Sequence, residues 1–344
     1  MEPTGATLED LGWTPFFADQ VLADDVELGL CPVRVMAVHR GMVSVMGSGV
    51  EQMIDSTLPD AVESEDRATV GDWLLIDADT LAPDRVLDRI NLFKRQSPAD
   101  PRRSQLIAAN VDTLFIVSSC NQDFNIARLE RYLVLAGEVG VTPVIVLTKI
   151  DLVEDPEAYV EAARALQAGL GVEMVDGRDP ASVAKLAAYC APGETVALLG
   201  SSGVGKSTMI NTMRGSDEIL TQEVREIDGR GRHTTTVRQL HRLDGPIVGG
   251  WLVDTPGMRE FRLPEAATGI AEVFDDIAAL TLECRFSNCT HGDEPGCAIQ
   301  AALAKGELTP ARLERWHKLV TEDDINTGKQ AGRRTNAGTF GKRK

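Results

Sequence analysis

Eight consecutive residues, Gly200-Ser201-Ser202-Gly203-Val204-Gly205-Lys206-Ser207, have the spacing of a phosphate-binding loop. The glycines let backbone N–H groups turn inward on phosphate oxygens. Lys206 can reach the outer phosphates, and Ser207 offers a hydroxyl to Mg2+. Thr208, which opens the helix-like stretch to Arg214, joins the candidate nucleotide ligands. A second element, Asp254-Thr255-Pro256-Gly257, closes an apolar run, where Asp254 can hold the Mg2+ shell and the Gly257 N–H can sense a γ-phosphate. Alone, those four residues are also good turn chemistry. A third, Thr148-Lys149-Ile150-Asp151, ends another apolar run. The Asp151 carboxylate can accept from guanine N1–H and the exocyclic amine. Adenine offers neither donor and would leave a charge unsatisfied. The Lys149 stem would pack along the base or the phosphate loop. Finally, Cys284, Cys289, His291 and Cys297 place three thiolates and an imidazole within fourteen residues, a closed tetrahedral set suited to one structural Zn2+.

These groups need elements to hold them. Residues 32–96 read as about five short strands with turns between, which predicts a small β-barrel; Trp73–Ile76, Val86–Ile90 and Leu92–Lys94 are among its strands. From Val111 the pattern changes to apolar runs at Thr113–Val117, Val144–Leu147, Val172–Val175 and Thr195–Leu199. They alternate with helical stretches, including one that sets Ile126, Leu129, Leu133 and Ala136 on one face. That alternation predicts a mostly parallel sheet. Val237–Leu243 and Ile247–Val253 have no helix-length insert between them and read as an antiparallel hairpin. Beyond Phe261 the chain turns helical around the cysteine cluster.

In this chain the guanine-reading Asp151 precedes the phosphate loop, the reverse of the usual order, so the sequence reads as a circular permutation of a GTPase. With that order, and with Val70-Gly71-Asp72-Trp73, Ala108-Ala109-Asn110-Val111-Asp112, Arg128-Leu129-Glu130-Arg131-Tyr132-Leu133, Gly231-Arg232-His233-Thr234-Thr235-Thr236, Asp254–Glu260 and the Cys/His cluster, the chain resembles the ribosome small-subunit-dependent GTPase A family over nearly its whole length. The resemblance implies a multidomain α/β protein: an N-terminal OB-fold β-barrel, a circularly permuted P-loop GTPase domain and a C-terminal helical zinc-binding domain. The expected boundaries are an acidic extension 1–30, the OB-fold 31–103, the GTPase domain 104–262, the zinc domain 263–328 and a basic flexible tail 329–344. It also implies GTP and GDP as ligands, the small ribosomal subunit and its rRNA as partners, and GTP hydrolysis that the subunit stimulates. A monomer is the default for a factor docking on a large particle.

Two departures from the family pattern stand out. Thr148 replaces the commonest asparagine, leaving one hydroxyl to brace the phosphate loop. Asp176-Gly177-Arg178 stands where a Ser-Ala pair often contacts the guanine oxygen. Met258 follows the Asp-x-x-Gly motif where many GTPases carry a water-orienting glutamine. His233 is therefore the candidate water-positioning group, with a solvated loop histidine as the plain alternative. A threonine of the same segment would complete the Mg2+ shell, Thr235 first and Thr234 next.

The composition constrains the rest. Thirty-five basic against 52 acidic residues give a net charge of −17, which excludes indiscriminate nucleic-acid binding. Residues 1–30 hold seven acids and no Lys or Arg, the reverse of a signal peptide, and no apolar run is long enough to span a membrane. A cytoplasmic protein without membrane contact is expected. Residues 85–103, with six bases against two acids, and the basic tail predict rRNA docking confined to the two ends of the molecule. Two other classes fit parts of the sequence: a P-loop ATPase or kinase with an accessory OB domain, and a zinc-stabilised RNA-binding module whose nucleotide site is structural.

Overall fold

A strand covered on both faces must be apolar at nearly every position, and the runs Thr113–Ser119 and Thr195–Leu199 are buried throughout. The computed structural model describes residues 6–59, 61, 65–96, 104–215, 238–254, 266–292 and 294–339. Its strands are β1 (Leu30–Val38), β2 (Met42–Gly47), β3 (Val50–Asp55), β4 (Trp73–Asp77), β5 (Pro83–Val86), β6 (Leu92–Gln96), β7 (Ser104–Ala109), β8 (Thr113–Ser119), β9 (Thr142–Thr148), β10 (Gly171–Met174), β11 (Thr195–Leu199), β12 (Arg238–Asp244) and β13 (Val248–Asp254). Contacts divide the chain into two compact units, Met1–Phe124 with Gly140–Glu161 and Gly171–Phe261, and Asn125–Val139 with Ala162–Leu170 and Arg262–Lys344.

In the first unit β10, β9, β8, β11 and β13 run parallel, and β12 returns antiparallel against β13, as the sequence predicts. The N-terminal strands pair antiparallel in the order β3-β2-β1-β4-β5 around Val33, Val35, Val43, Val45, Ile54, Leu74 and Ile76. β1 also pairs with β12, so the two groups of strands share one hydrogen-bonded sheet. The strand expected at Val86–Ile90 ends at Val86 instead. Side chains take the backbone groups that a ladder would use: the Ile90 N–H donates to Asn110 Oδ1 at 2.9 Å and the Asp88 N–H donates to Gln20 Oε1.

The acidic N-terminal segment is built into this unit. Leu11 and Phe17 are buried, and Trp13 stands edge-on to the buried Trp73 at 4.6 Å between ring centroids. Arg34 on β1, 2% exposed, ties the segment down. Its guanidinium donates to the Leu11 and Asn110 carbonyls and, at 2.7 Å, to Thr195 Oγ1 at the start of β11. Burial pushes its pKa down to about 10, so it remains a cation at neutral pH. Two motifs of the sequence meet nearby. Asn110 Nδ2 donates to the Gly71 carbonyl at 3.0 Å, and buried Asp72 pairs with Arg89 at 2.7 Å.

The second unit is helical: Ile126–Val139, Ala267–Val273, Asp275–Leu282, Ala298–Lys305 and Pro310–Thr339. Gly269 is required where two of these helices cross, because a Cβ there would lie 2.1 Å from the Val134 carbonyl oxygen. Fully buried Glu130 accepts from Arg315 Nε at 2.6 Å and Arg312 Nη1 at 3.5 Å, and Arg312 also grips Asp276. A buried carboxylate needs such cations, and they lie on the last helix. That is why Ile126–Val139 belongs with the C-terminal unit. The backbone of the last helix continues past 329, the expected start of the basic tail, to Thr339. The stretch Lys329-Gln330-Ala331 favours a helix and no proline interrupts it.

Replacing Arg34 by Ala leaves the Leu11 carbonyl and the Thr195 hydroxyl without their buried donor. The substitution should cost about 3 kcal/mol of stability. Chemical denaturation of the variant would show it as a lower midpoint; an unmoved midpoint would mean that the cation contributes nothing net.

Candidate functional site

β8 leads to β9 and β10 on one side of the sheet, whereas β11 lies on its other side. The strand order therefore reverses between β8 and β11, and in open α/β sheets ligands bind at the carboxyl ends of strands at such a point. The phosphate loop leaves β11 there. Gly200 passes so close to β8 that a Cβ would come 2.3 Å from the Val117 carbonyl oxygen. Val204 sinks its side chain into the core, at 2% exposure. Gly203 and Gly205 have φ of +80° and +97°, which L side chains rarely adopt, and Gly205 leads into the helix Lys206–Arg214. Lys206 Nζ donates to the Gly200 carbonyl at 2.7 Å and to that of Ser201, so the ammonium lies folded over its own loop. Ser201, Ser202, Ser207 and Thr208 follow on the same loop and first turn.

Thr148 reaches the phosphate loop. At the end of β9, level with Ser119 of β8, its hydroxyl lies 2.6 Å from the Val204 carbonyl and 3.2 Å from that of Ser118. One hydrogen serves the nearer acceptor, so a single neutral hydrogen bond joins the Thr148–Asp151 loop to the phosphate loop. Lys149 follows with φ +56°, turning the chain so that Asp151 stands in a short 3-10 turn, its side chain 40% exposed. Arg178 Nη2 donates to Asp151 Oδ2 at 3.0 Å. The same guanidinium holds Asp176, whose carboxyl sits below its ordinary pKa because of that hydrogen bonding.

Val253 of β13 pairs with Ala197 of β11, which sets the Asp254 backbone beside the end of the strand that launches the phosphate loop. Phosphate loop, Asp151 and Asp254 thus reach one edge of one sheet. His233, Thr234, Thr235, Gly257 and Met258 lie outside the described residues.

In the helical unit the four ligand atoms of Cys284, Cys289, His291 and Cys297 lie within 4.8 Å of one another. Cys284 Sγ and Cys297 Sγ are 4.0 Å apart, and His291 Nδ1 is 3.6 and 3.7 Å from them. A tetrahedral zinc with Zn–S of about 2.3 Å separates its sulfurs by about 3.8 Å, so the Cys284–Cys297 spacing is close to what the ion needs and the set of four is compatible with one zinc. His291 sits at φ +63°, its backbone carbonyl accepts from Gln300, and its Nδ1 is turned toward the sulfurs.

The basic run behaves differently from its count. Arg85 pairs with Asp25 at 2.6 Å, Arg89 with Asp72, and Lys94 with Glu65 at 2.8 Å. All three acids lie outside residues 85–103, and a charge count along the chain misses that compensation. The alternating pattern of the sequence did not reveal Arg34 either, because an arginine in a strand ordinarily faces water.

The chain matches the family model described as RsgA GTPase over residues 86–264. The small ribosomal subunit biogenesis GTPase RsgA of Mesorhizobium japonicum is 49% identical over 331 residues, covering 95% of this chain and 93% of that protein. The small ribosomal subunit biogenesis GTPase RsgA 2 of Vibrio parahaemolyticus is 43% identical, with 98% and 92% covered. Among solved structures, YjeQ from Thermotoga maritima matches with a TM-score of 0.60 at 25% identity, over 86% of this chain and 98% of that one. YloQ, described as a circularly permuted GTPase, matches in fold at 0.59 and 24% identity, with 86% and 96% covered.

Removing the brace while keeping the side-chain shape isolates its contribution. Thr148→Val should weaken guanine-nucleotide affinity about fivefold, the worth of one neutral hydrogen bond near 1 kcal/mol, and Thr148→Ser should restore most of it. Titration with a fluorescent GDP analogue measures both, and equal affinity for Val and Ser variants would dismiss the brace.

Proposed function

The chain belongs to the RsgA GTPase family, a family of GTP hydrolases, and on that premise we propose that it binds the small ribosomal subunit, assists its late maturation and leaves after subunit-stimulated hydrolysis of GTP to GDP and phosphate. The observation that carries this reading is the Thr148–Val204 contact, which makes one site of the guanine-reading and phosphate-binding loops. The family assignment leaves the ATPase or kinase reading without support, and equally the reading of a structural nucleotide site.

In this proposal Gly200–Gly205 and Lys206 hold the phosphates, with Ser201, Ser202 and Thr208 beside them, and Asp151 reads the guanine edge while Lys149 packs along it. Ser207 and Thr235, or Thr234 in its place, would hold the Mg2+ that accompanies GTP and neutralises its phosphate charge. Asp254 holds the outer shell of that ion, and the Gly257 N–H senses the γ-phosphate. His233 orients the attacking water, a role Met258 is unable to fill because a thioether is too weak an acceptor.

Cys284, Cys289, His291 and Cys297 would hold one structural zinc, which rigidifies a helical unit with a small core. The strands β1–β5 are read as an OB-fold that contacts rRNA, with the GTPase domain over 104–262 and the zinc domain beyond it. The protein is read as a cytoplasmic monomer; among the described residues no helix is long and apolar enough to cross a membrane.

GTP turnover measured with and without purified small subunits tests the proposal. Stimulation is expected in the wild type and its loss in His233→Ala, with GTP binding kept. Turnover indifferent to the subunit would refute the assembly role. Asp151→Asn should weaken GTP on the order of a hundredfold and favour xanthosine triphosphate, whose C2 carbonyl accepts from the new amide. Undiminished GTP preference in a competition assay would remove Asp151 from the guanine site.

A further inference from the structure

Guanine presents three consecutive groups on one edge: the exocyclic amine, N1–H and the O6 carbonyl. A carboxylate satisfies the two donors and leaves O6 without a partner. The missing complement is a donor standing next to the carboxylate oxygen that takes N1–H. In this chain Arg178 Nη2 lies 3.0 Å from Asp151 Oδ2. We propose that Arg178 is a second specificity residue for guanine, donating to O6 while Asp151 accepts from N1–H and the amine. The inference rests on Asp151 reading the base.

Three observations support it. First, the guanidinium has donors to spare. Nε donates to Asp176 Oδ1 at 3.1 Å, and Nη2 donates to Asp176 Oδ2 at 3.3 Å and to Asp151. Neither Nη1 proton has a partner among the described residues, and the planar fork of arginine can direct them at a carbonyl oxygen and the adjacent ring nitrogen.

Second, the loop that carries Arg178 is anchored to the phosphate-loop helix. Thr212 Oγ1 on the helix Lys206–Arg214 donates to the Gly177 carbonyl at 2.6 Å. The Asp176 N–H donates to Ser182 Oγ at 3.0 Å, and the Arg178 N–H donates to Asp176 Oδ1 at 3.0 Å. The base-reading pair and the phosphate loop are thereby held in one frame. Asp176 acts as a positioning residue: it aims the guanidinium without touching the base.

Third, fold stability does not account for the arrangement. Arg178 is 65% exposed and Asp151 40%, and ion pairs so exposed contribute little. The same charge-assisted donor aimed at a ligand carbonyl inside a binding cleft contributes far more.

Competition against a fluorescent GDP analogue separates the two halves of the guanine edge. Inosine triphosphate lacks the amine and reports on Asp151. In 6-thioguanosine triphosphate a sulfur, a weak acceptor, replaces O6, whereas N1–H and the amine remain. Wild-type protein should prefer GTP over the thio analogue about tenfold. Arg178→Ala should bind GTP about tenfold more weakly and lose that preference, while its discrimination against inosine triphosphate persists. Arg178→Lys keeps a cationic donor and should retain part of the preference; Asp176→Asn, which loosens the guanidinium, should fall between wild type and Arg178→Ala. Unchanged discrimination against the thio analogue in Arg178→Ala and Arg178→Lys would overturn the proposal. So would tighter GTP binding in Arg178→Ala, because Arg178 would then only compete for Asp151. Failure of the wild type to discriminate against inosine triphosphate would instead count against Asp151 itself.

Discussion

The site depends on one close approach, the passage of Gly200 against the Val117 carbonyl where β11 leaves β8. Parallel pairing of Leu199 with Ile116 carries the chain to that point with no room for a side chain. From there the loop has one way out, over the carboxyl ends of the strands. Strand order alone sets where two of the candidate segments end: Thr148 ends β9, one strand beyond β8, and Asp254 ends β13 on the other flank of β11. A circularly permuted GTPase fold keeps this geometry because strand neighbours, and not chain order, set which loop ends meet.

Given that frame, small polar contacts decide how tightly the loops hold together. An asparagine at position 148 could offer an amide with several partners, whereas Thr148 offers one hydroxyl, and the structure spends it on Val204. The rest of the stiffness comes from elsewhere. Val204 is buried in the core, and Thr212 fastens the Asp176–Arg178 loop to the helix behind the phosphate loop. A weaker brace at one point is thus compatible with ordered loops, because Val204 restrains the phosphate loop and Thr212 restrains the Asp176–Arg178 loop beside it.

What the sequence made legible follows from the range of the interactions involved. The phosphate loop, the Thr148–Asp151 turn and the cysteine cluster are local, each motif complete within a few residues of chain, and the first two follow the strands β11 and β9 that the sequence pattern marks. Contacts that join distant segments were not legible. Glu130 looks like one charged residue on an amphipathic helix until Arg312 and Arg315, more than 180 residues later, surround it. Arg85, Arg89 and Lys94 look like a basic patch until Asp25, Asp72 and Glu65 fold against them. Arg34 alternates as an exposed strand residue should, and is instead buried because the N-terminal segment covers it. In each case periodicity reports which face a residue takes and is silent about what will later cover that face.

The charge balance bears on how so acidic a chain holds a polyanion. At physiological ionic strength fields decay over about 8 Å, so acids elsewhere in the molecule barely oppose a triphosphate at the loop. What matters is the first few ångströms, and there the phosphate loop presents backbone N–H groups, the start of a helix and the Lys206 ammonium. None of these requires net positive charge on the protein. The same reasoning applies to the proposed base site: Asp151 would add one more negative group there, and Arg178, 3.0 Å away, offsets that charge locally. A protein of net charge −17 can therefore bind a nucleotide tightly and still repel loose RNA, because recognition is set by organised donors at contact distance and repulsion by the distributed charge that acts only beyond it.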